Sequence, residues 1–170
     1  TGGATALGGS YASGVDSFAA AIANNTSSYG ATGANSVAIG QNSKATGSSA
    51  IAIGYFAQNT GSYSLALGYG TASATGAVTI GGGNPAFASA TNAIAIGAGA
   101  NSSAQNSVSF GAFAASNIIN KFAFGSGITG QQGGYFVLRS DTTDATPEAL
   151  TTNNSAAGTT NQVILPNNSA

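Results

Sequence analysis

A six-residue phrase, Asn35-Ser36-Val37-Ala38-Ile39-Gly40, returns along most of this chain and limits its fold more than any other feature. It recurs as Ser49-Ala50-Ile51-Ala52-Ile53-Gly54, as Tyr63-Ser64-Leu65-Ala66-Leu67-Gly68 and as Asn92-Ala93-Ile94-Ala95-Ile96-Gly97. Asn106-Ser107-Val108-Ser109-Phe110-Gly111 and Asn120-Lys121-Phe122-Ala123-Phe124-Gly125 continue it. A weaker copy ends in Val78-Thr79-Ile80-Gly81, and two degenerate copies open the chain at Thr5-Ala6-Leu7-Gly8 and Ala20-Ala21-Ile22-Ala23. The closing positions are then 8, 23, 40, 54, 68, 81, 97, 111 and 125, most often 14 apart. A unit of that length is too short for a helix pair or a propeller blade and fits one coil of a β-solenoid.

The local pattern agrees. Large apolar residues alternate with Ala, Ser or Thr, which is the period-2 signature of a strand. Each closing glycine permits a tight or positive-φ turn. The second half of a unit, as in Ser43-Lys44-Ala45-Thr46-Gly47, is small and polar and reads as a shorter return strand. Stacked coils place Val37, Ile51, Leu65, Val78, Ile94, Val108 and Phe122 in one ladder. Ile39, Ile53, Leu67, Ile80, Ile96, Phe110 and Phe124 form a second. Rungs spaced by about 4.8 Å give a rod on the order of 40 Å long.

Two bulky residues per coil on one face bury little, and small cores rarely stabilise a chain alone. Either the ladders line the interior, or Ala and Ser do and the ladders face partner chains. An apolar stripe along a rod marks an interface, and cyclic symmetry buries such stripes against one another.

Composition removes whole classes of chemistry. Without Cys or His there is no thiolate or imidazole metal site, no disulfide and no Ser-His-Asp triad. Charged residues make up 4% of the chain, and Lys44, Lys121 and Arg139 are its only bases, too few to neutralise a run of phosphates, so no nucleic acid is expected as partner. No apolar run is long enough to span a membrane as a helix, so no membrane insertion is expected. No cofactor and no catalytic residue are expected either. The chain has no initiator Met and no signal segment, and is expected to be a fragment.

The phrase Asn-Ser-Val-Ala-Ile-Gly at residues 35–40, followed by a small, polar, Gly-containing return segment, resembles the head repeat of YadA-like trimeric autotransporter adhesins. The resemblance covers roughly residues 1–125 and is specific from 35 to 125. It implies an all-β, left-handed parallel β-roll of 14-residue coils, a homotrimer, and exposure on a surface. It carries no catalytic residue over. A coiled-coil neck, usual after such heads, is not recognisable here.

After Gly125 the repeat stops. Residues 126–134 read as a Gly-rich linker. Tyr135–Arg139 is a strong strand by composition, and residues 148–152 and 162–166 are two more candidates. The segment Tyr135-Phe136-Val137-Leu138-Arg139-Ser140-Asp141-Thr142-Thr143-Asp144-Ala145-Thr146-Pro147, with Val163-Ile164-Leu165-Pro166 later, looks like a module of phage and other viral tail-fibre proteins. That likeness implies further strands, so residues 135–170 are expected to be the start of an incomplete small β domain. It also implies a virion fibre, with other fibre or virion proteins as partners. A bacterial cell-surface adhesin is the alternative, and an ice- or glycan-binding solenoid a third reading.

Two sets of residues are candidates for contact. The ladder residues Val37, Ile39, Ile51, Ile53, Leu65, Leu67, Ile94, Ile96, Val108, Phe110, Phe122 and Phe124 are expected in the core or trimer interface. Tyr29, Tyr55, Phe56 and Tyr69 fall at or near turns, where exposed rings suit a host glycan or protein and packing between protomers is the competing role. The longer units are expected to bulge outward as loops, as near Phe87 in Gly82-Gly83-Asn84-Pro85. Asp141, Asp144 and Glu148 read as turn residues around Pro147 rather than a cation site. Thr46 and Thr60 stack in register, with Thr75 as a third member of a short Thr column.

Overall fold

The computed structural model describes residues 3–20, 29–125, 132–135 and 151. Over them the chain is an all-β parallel solenoid of about eight turns. Each regular coil has a three-residue front strand, such as Val37–Ile39 or Ile51–Ile53, and a two-residue return strand, such as Lys44–Ala45 or Gln58–Asn59. Front strands pair in parallel from Thr5–Ala6 to Phe122–Gly125, and the register matches the repeat: Val37 lies on Ile51, Ile51 on Leu65, and Val108 on Phe122. Among the described residues no helix is long and apolar enough to cross a membrane.

The structure decides which face is the interior. Ala38, Ala52, Ala66, Ala95 and Ala123 are fully buried, and the Val, Ile, Leu and Phe on either side of them point out. Each coil sends four small residues inward, for example Ser36, Ala38, Ser43 and Ala45. Side chains this short let the front and return strands approach closely, so the core is a column of Ala and Ser. Larger interior residues are accommodated one at a time. Thr79 sits beside Gly70, where an added Cβ would lie 2.8 Å from the Thr79 hydroxyl oxygen.

The two corners of the coil follow different rules. Counted between inward-facing residues such as Ala45 and Ala50, or Ser102 and Ser107, the corner from return strand to front strand always holds four residues, as in Thr46–Ser49 or Ser103–Asn106. Its last residue is always left-handed: Asp16, Asn35, Ser49, Tyr63, Gly76, Asn92, Asn106 and Asn120. That residue stands third in a turn closed, at most rungs, by a bond such as Ala50 N–H to Gly47 O at 3.3 Å, the arrangement of a type II turn. Its own N–H donates to the coil before, as from Asn106 to Thr91 O at 3.0 Å. Asn is favoured because it tolerates the left-handed region.

The corner from front strand to return strand varies. It holds Gly40–Asn42 in a regular coil, only Gly68–Tyr69 in the next but one, and Gly81–Pro85 in the one after. The short corner gives the register shift between Gly68 and Gly70. The long one is an excursion inside the strand Val78–Ala88, exposed at Gly82, Gly83 and Asn84 and turned at Gly83, where φ is +45°. At Gly97 this corner needs glycine, since φ is +126° and an added Cβ would lie 2.6 Å from the Gly111 carbonyl.

Three expectations need correction. The second repeat copy is not Ala20–Ala23: Phe18–Ala20 forms the front strand, in register with Val37–Ile39. Asp16, in the left-handed position, fixes the strand start two residues earlier than the Ala-rich sequence suggests. Thr75 does not join Thr46 and Thr60, because pairing of Asn59 with Ala72 puts Ser73 on that rung. Thr32 extends the column at its other end, since Ala31 pairs with Ala45. Finally, Gln132–Tyr135 forms a strand antiparallel to Phe122–Gly125, so the end of the expected linker belongs to the sheet. The acids Asp141, Asp144 and Glu148 and the other C-terminal strands expected at 148–152 and 162–166 lie outside the described residues, Thr151 excepted.

Candidate functional site

Two surfaces stand out, and the coil builds both by simple alternation. Where Ala38 and its stacked equivalents point in, their two neighbours must point out. The twelve ladder residues named from the sequence therefore all lie on the outer side of the front strands. Ile51 and Ile53 are each 37% exposed, Phe110 50% and Phe124 42%. Val37, Ile39, Leu65, Leu67, Ile94, Ile96, Val108 and Phe122 are half-buried by the rungs above and below. Ile80 continues the stripe at 40% exposure. At its end Phe122 and Phe124 pack ring on ring, with centroids 4.7 Å apart. The result is a continuous apolar band along one face of the rod.

The second surface lies on the variable corner. Tyr55 and Phe56 follow Gly54, Tyr69 follows Gly68 one coil later, and Tyr29 stands at the end of the same corner in an earlier coil. Stacking brings all four together. Tyr55 and Phe56 meet edge to face at 4.6 Å, Tyr55 and Tyr69 at 6.1 Å, Phe56 and Tyr69 at 6.1 Å, and Tyr29 and Phe56 at 6.5 Å. Tyr29 packs against the buried alanine core, while Tyr55 remains 55% exposed. Gln58, on the adjoining return strand, donates from its amide to the Asn42 carbonyl at 2.9 Å. Of the four, Tyr55 is exposed and Tyr29, Phe56 and Tyr69 are half-buried, and their convergence was not expected from the sequence.

Sequence reading did not foresee the left-handed backbone of three aromatics: Phe56 (φ +52°), Tyr63 (φ +55°) and Phe113 (φ +56°). The signal was present for Tyr63. Aligning the repeat phrases puts it in the position that Asn35, Asn92 and Asn106 fill. Among the described residues no three His, Cys, Asp or Glu side chains cluster as metal ligands would.

Residues 31–57 and 88–114 each match the YadA head domain repeat. The stretch between them contains the short corner Gly68–Tyr69 and the long corner Gly81–Pro85, where coil length departs from the regular repeat. No curated protein matches the chain. Small residues inside, bulky residues outside and two matching repeats make this solenoid similar to the YadA head domain repeat over those two stretches.

Proposed function

We propose that this chain is a non-catalytic structural and adhesive segment of a homotrimeric surface fibre. The observation that carries the reading is the outward apolar band, from Val37 and Ile39 to Phe122 and Phe124, on a roll whose interior is already filled by Ala and Ser. A lone rod would leave that band in water. Apolar patches of this extent mark interfaces, and three copies about an axis bury three bands at once. YadA-like heads are trimeric fibre segments, which agrees with this geometry.

The finer reading is a fibre of a virion, contributing to host attachment. The likeness of residues 135–170 to viral tail-fibre modules favours it. The head repeats at 31–57 and 88–114 suit equally the alternative, a head fragment of a bacterial trimeric adhesin on the cell surface. A tail tip in the sequence downstream supports the virion fibre; a coiled-coil neck and membrane-anchor barrel support the adhesin.

Light scattering across a size-exclusion peak tests the shared core of both. Three chains of 16.2 kDa give a mass of about 49 kDa. A stable 16.2 kDa species at micromolar concentration contradicts the fibre reading.

A further inference from the structure

We propose that the aromatic corner formed by Tyr29, Tyr55, Phe56 and Tyr69 binds an uncharged sugar residue of a surface glycan. Three independent observations lead to it. First, coil length varies only at this corner, while the opposite corner keeps four residues in every coil described. In stacked-repeat proteins, variation concentrates on the face that binds.

Second, Phe56 holds φ +52°, where the corresponding residues of other coils are Asn42 and Gly99. A bulky residue in the left-handed region is held against its local preference. Phe113 at φ +56° shows that an aromatic can occupy this position, but only Phe56 has three other rings around it.

Third, the chemistry of the patch is specific. The Tyr55 ring stands edge-on to its neighbours, at 80° to Phe56 and 69° to Tyr69, and over half its surface stays open. An aromatic face carries partial negative charge. The C–H groups along one side of a pyranose ring carry the opposite polarity and lie flat enough to stack there. Gln41, Asn42 and Gln58 flank the rings and offer amide groups to sugar hydroxyls. The four rings are uncharged, and the one charged side chain on the adjoining return strands is Lys44, on the rung between Gly30 and Gln58, a single cation beside a largely aromatic and amide surface. A neutral sugar suits this surface better than a charged peptide or a phosphate.

The inference deepens the adhesive reading above, yet sugar binding is read from the intact chain whatever its oligomeric state. The probes are the methyl glycosides of glucose, galactose, mannose and N-acetylglucosamine, each at millimolar concentration. Saturation-transfer NMR reports contact. Because the chain has no Trp, its tyrosine fluorescence gives the affinity. At least one glycoside should bind. Tyr55→Ala and Tyr55→Leu should each weaken it about tenfold, the loss of one stacking contact. Tyr63→Ala, on the opposite corner, should leave it unchanged, and circular dichroism checks that each variant is folded. Four results overturn the proposal: no glycoside of the panel binds, binding survives Tyr55→Leu, Tyr63→Ala costs as much, or Tyr55→Leu lowers the native mass and so assigns the patch to contact between chains.

Discussion

The side-chain amide of Asn59 donates to the Ser64 carbonyl at 2.7 Å, and the Ser64 hydroxyl donates back to the Asn59 side-chain oxygen. The same amide reaches the Ile51 carbonyl at 2.9 Å, and Asn59 is fully buried. A single polar side chain thus ties a return strand to the front strands on both sides of it, where Ala45 and Ala72 fill the neighbouring rungs. Asn59→Ala should destabilise the protein by about 1–3 kcal/mol, because buried groups lose partners and a void opens. The urea midpoint measures this; an unchanged midpoint shows that the alanine core alone suffices.

Insertions should be tolerated at one corner and not at the other. Gly-Ser placed after Gln41 extends a corner that elsewhere holds Gly81–Pro85, and should cost under about 1 kcal/mol. The same insertion after Ser48 interrupts a corner whose bonds, such as Ser49 N–H to Ala34 O at 2.7 Å, link successive coils. It should cost several times more, because it breaks both the turn closed by Ala50 N–H to Gly47 O and the bond from Ser49 to the coil before, leaving their groups without partners. Thermal melting of the two variants decides, and equal losses contradict the asymmetry.

Tyr63 is 73% exposed and left-handed at φ +55°, in a position that Asn holds in four other coils. Few contacts compensate its backbone. Tyr63→Asn should therefore raise stability by about 0.5–1 kcal/mol, a shift of a few degrees in melting temperature. A lower melting temperature would show that the ring is held by contacts with another chain.

Much of this architecture was legible because the repeat writes strand, turn and register into each coil. The pairing of Ile51 with Leu65, and of Val108 with Phe122, follows directly from aligned phrases. The facing of the ladder was not legible. Val37-Ala38-Ile39 alternates identically whether Ala or Val points inward, and only the close approach of the return strand selects Ala. Register failed where Ala20-Ala21-Ile22-Ala23 imitated the repeat, since Ile22 in an Ala-rich run passes for the second bulky residue of the phrase while the true front strand begins at Phe18. The aromatic corner was legible as separate turn residues. Its convergence depends on stacking between coils: Tyr55 and Tyr69 stand one 14-residue repeat apart, but the 17-residue unit that holds Tyr29 obscures its place beside them.

The central claim is that other copies of the chain cover the apolar band. The chain has no Cys, so single cysteines report cleanly. Ile53→Cys places a thiol in the band, and Gln58→Cys places one on the return face of the same coil. Labelling of the native protein with a maleimide should be slow at position 53 and fast at 58, with both fast after unfolding. Equal, rapid labelling of both in the native protein would mean that the band lies open to water, and the fibre account would fail.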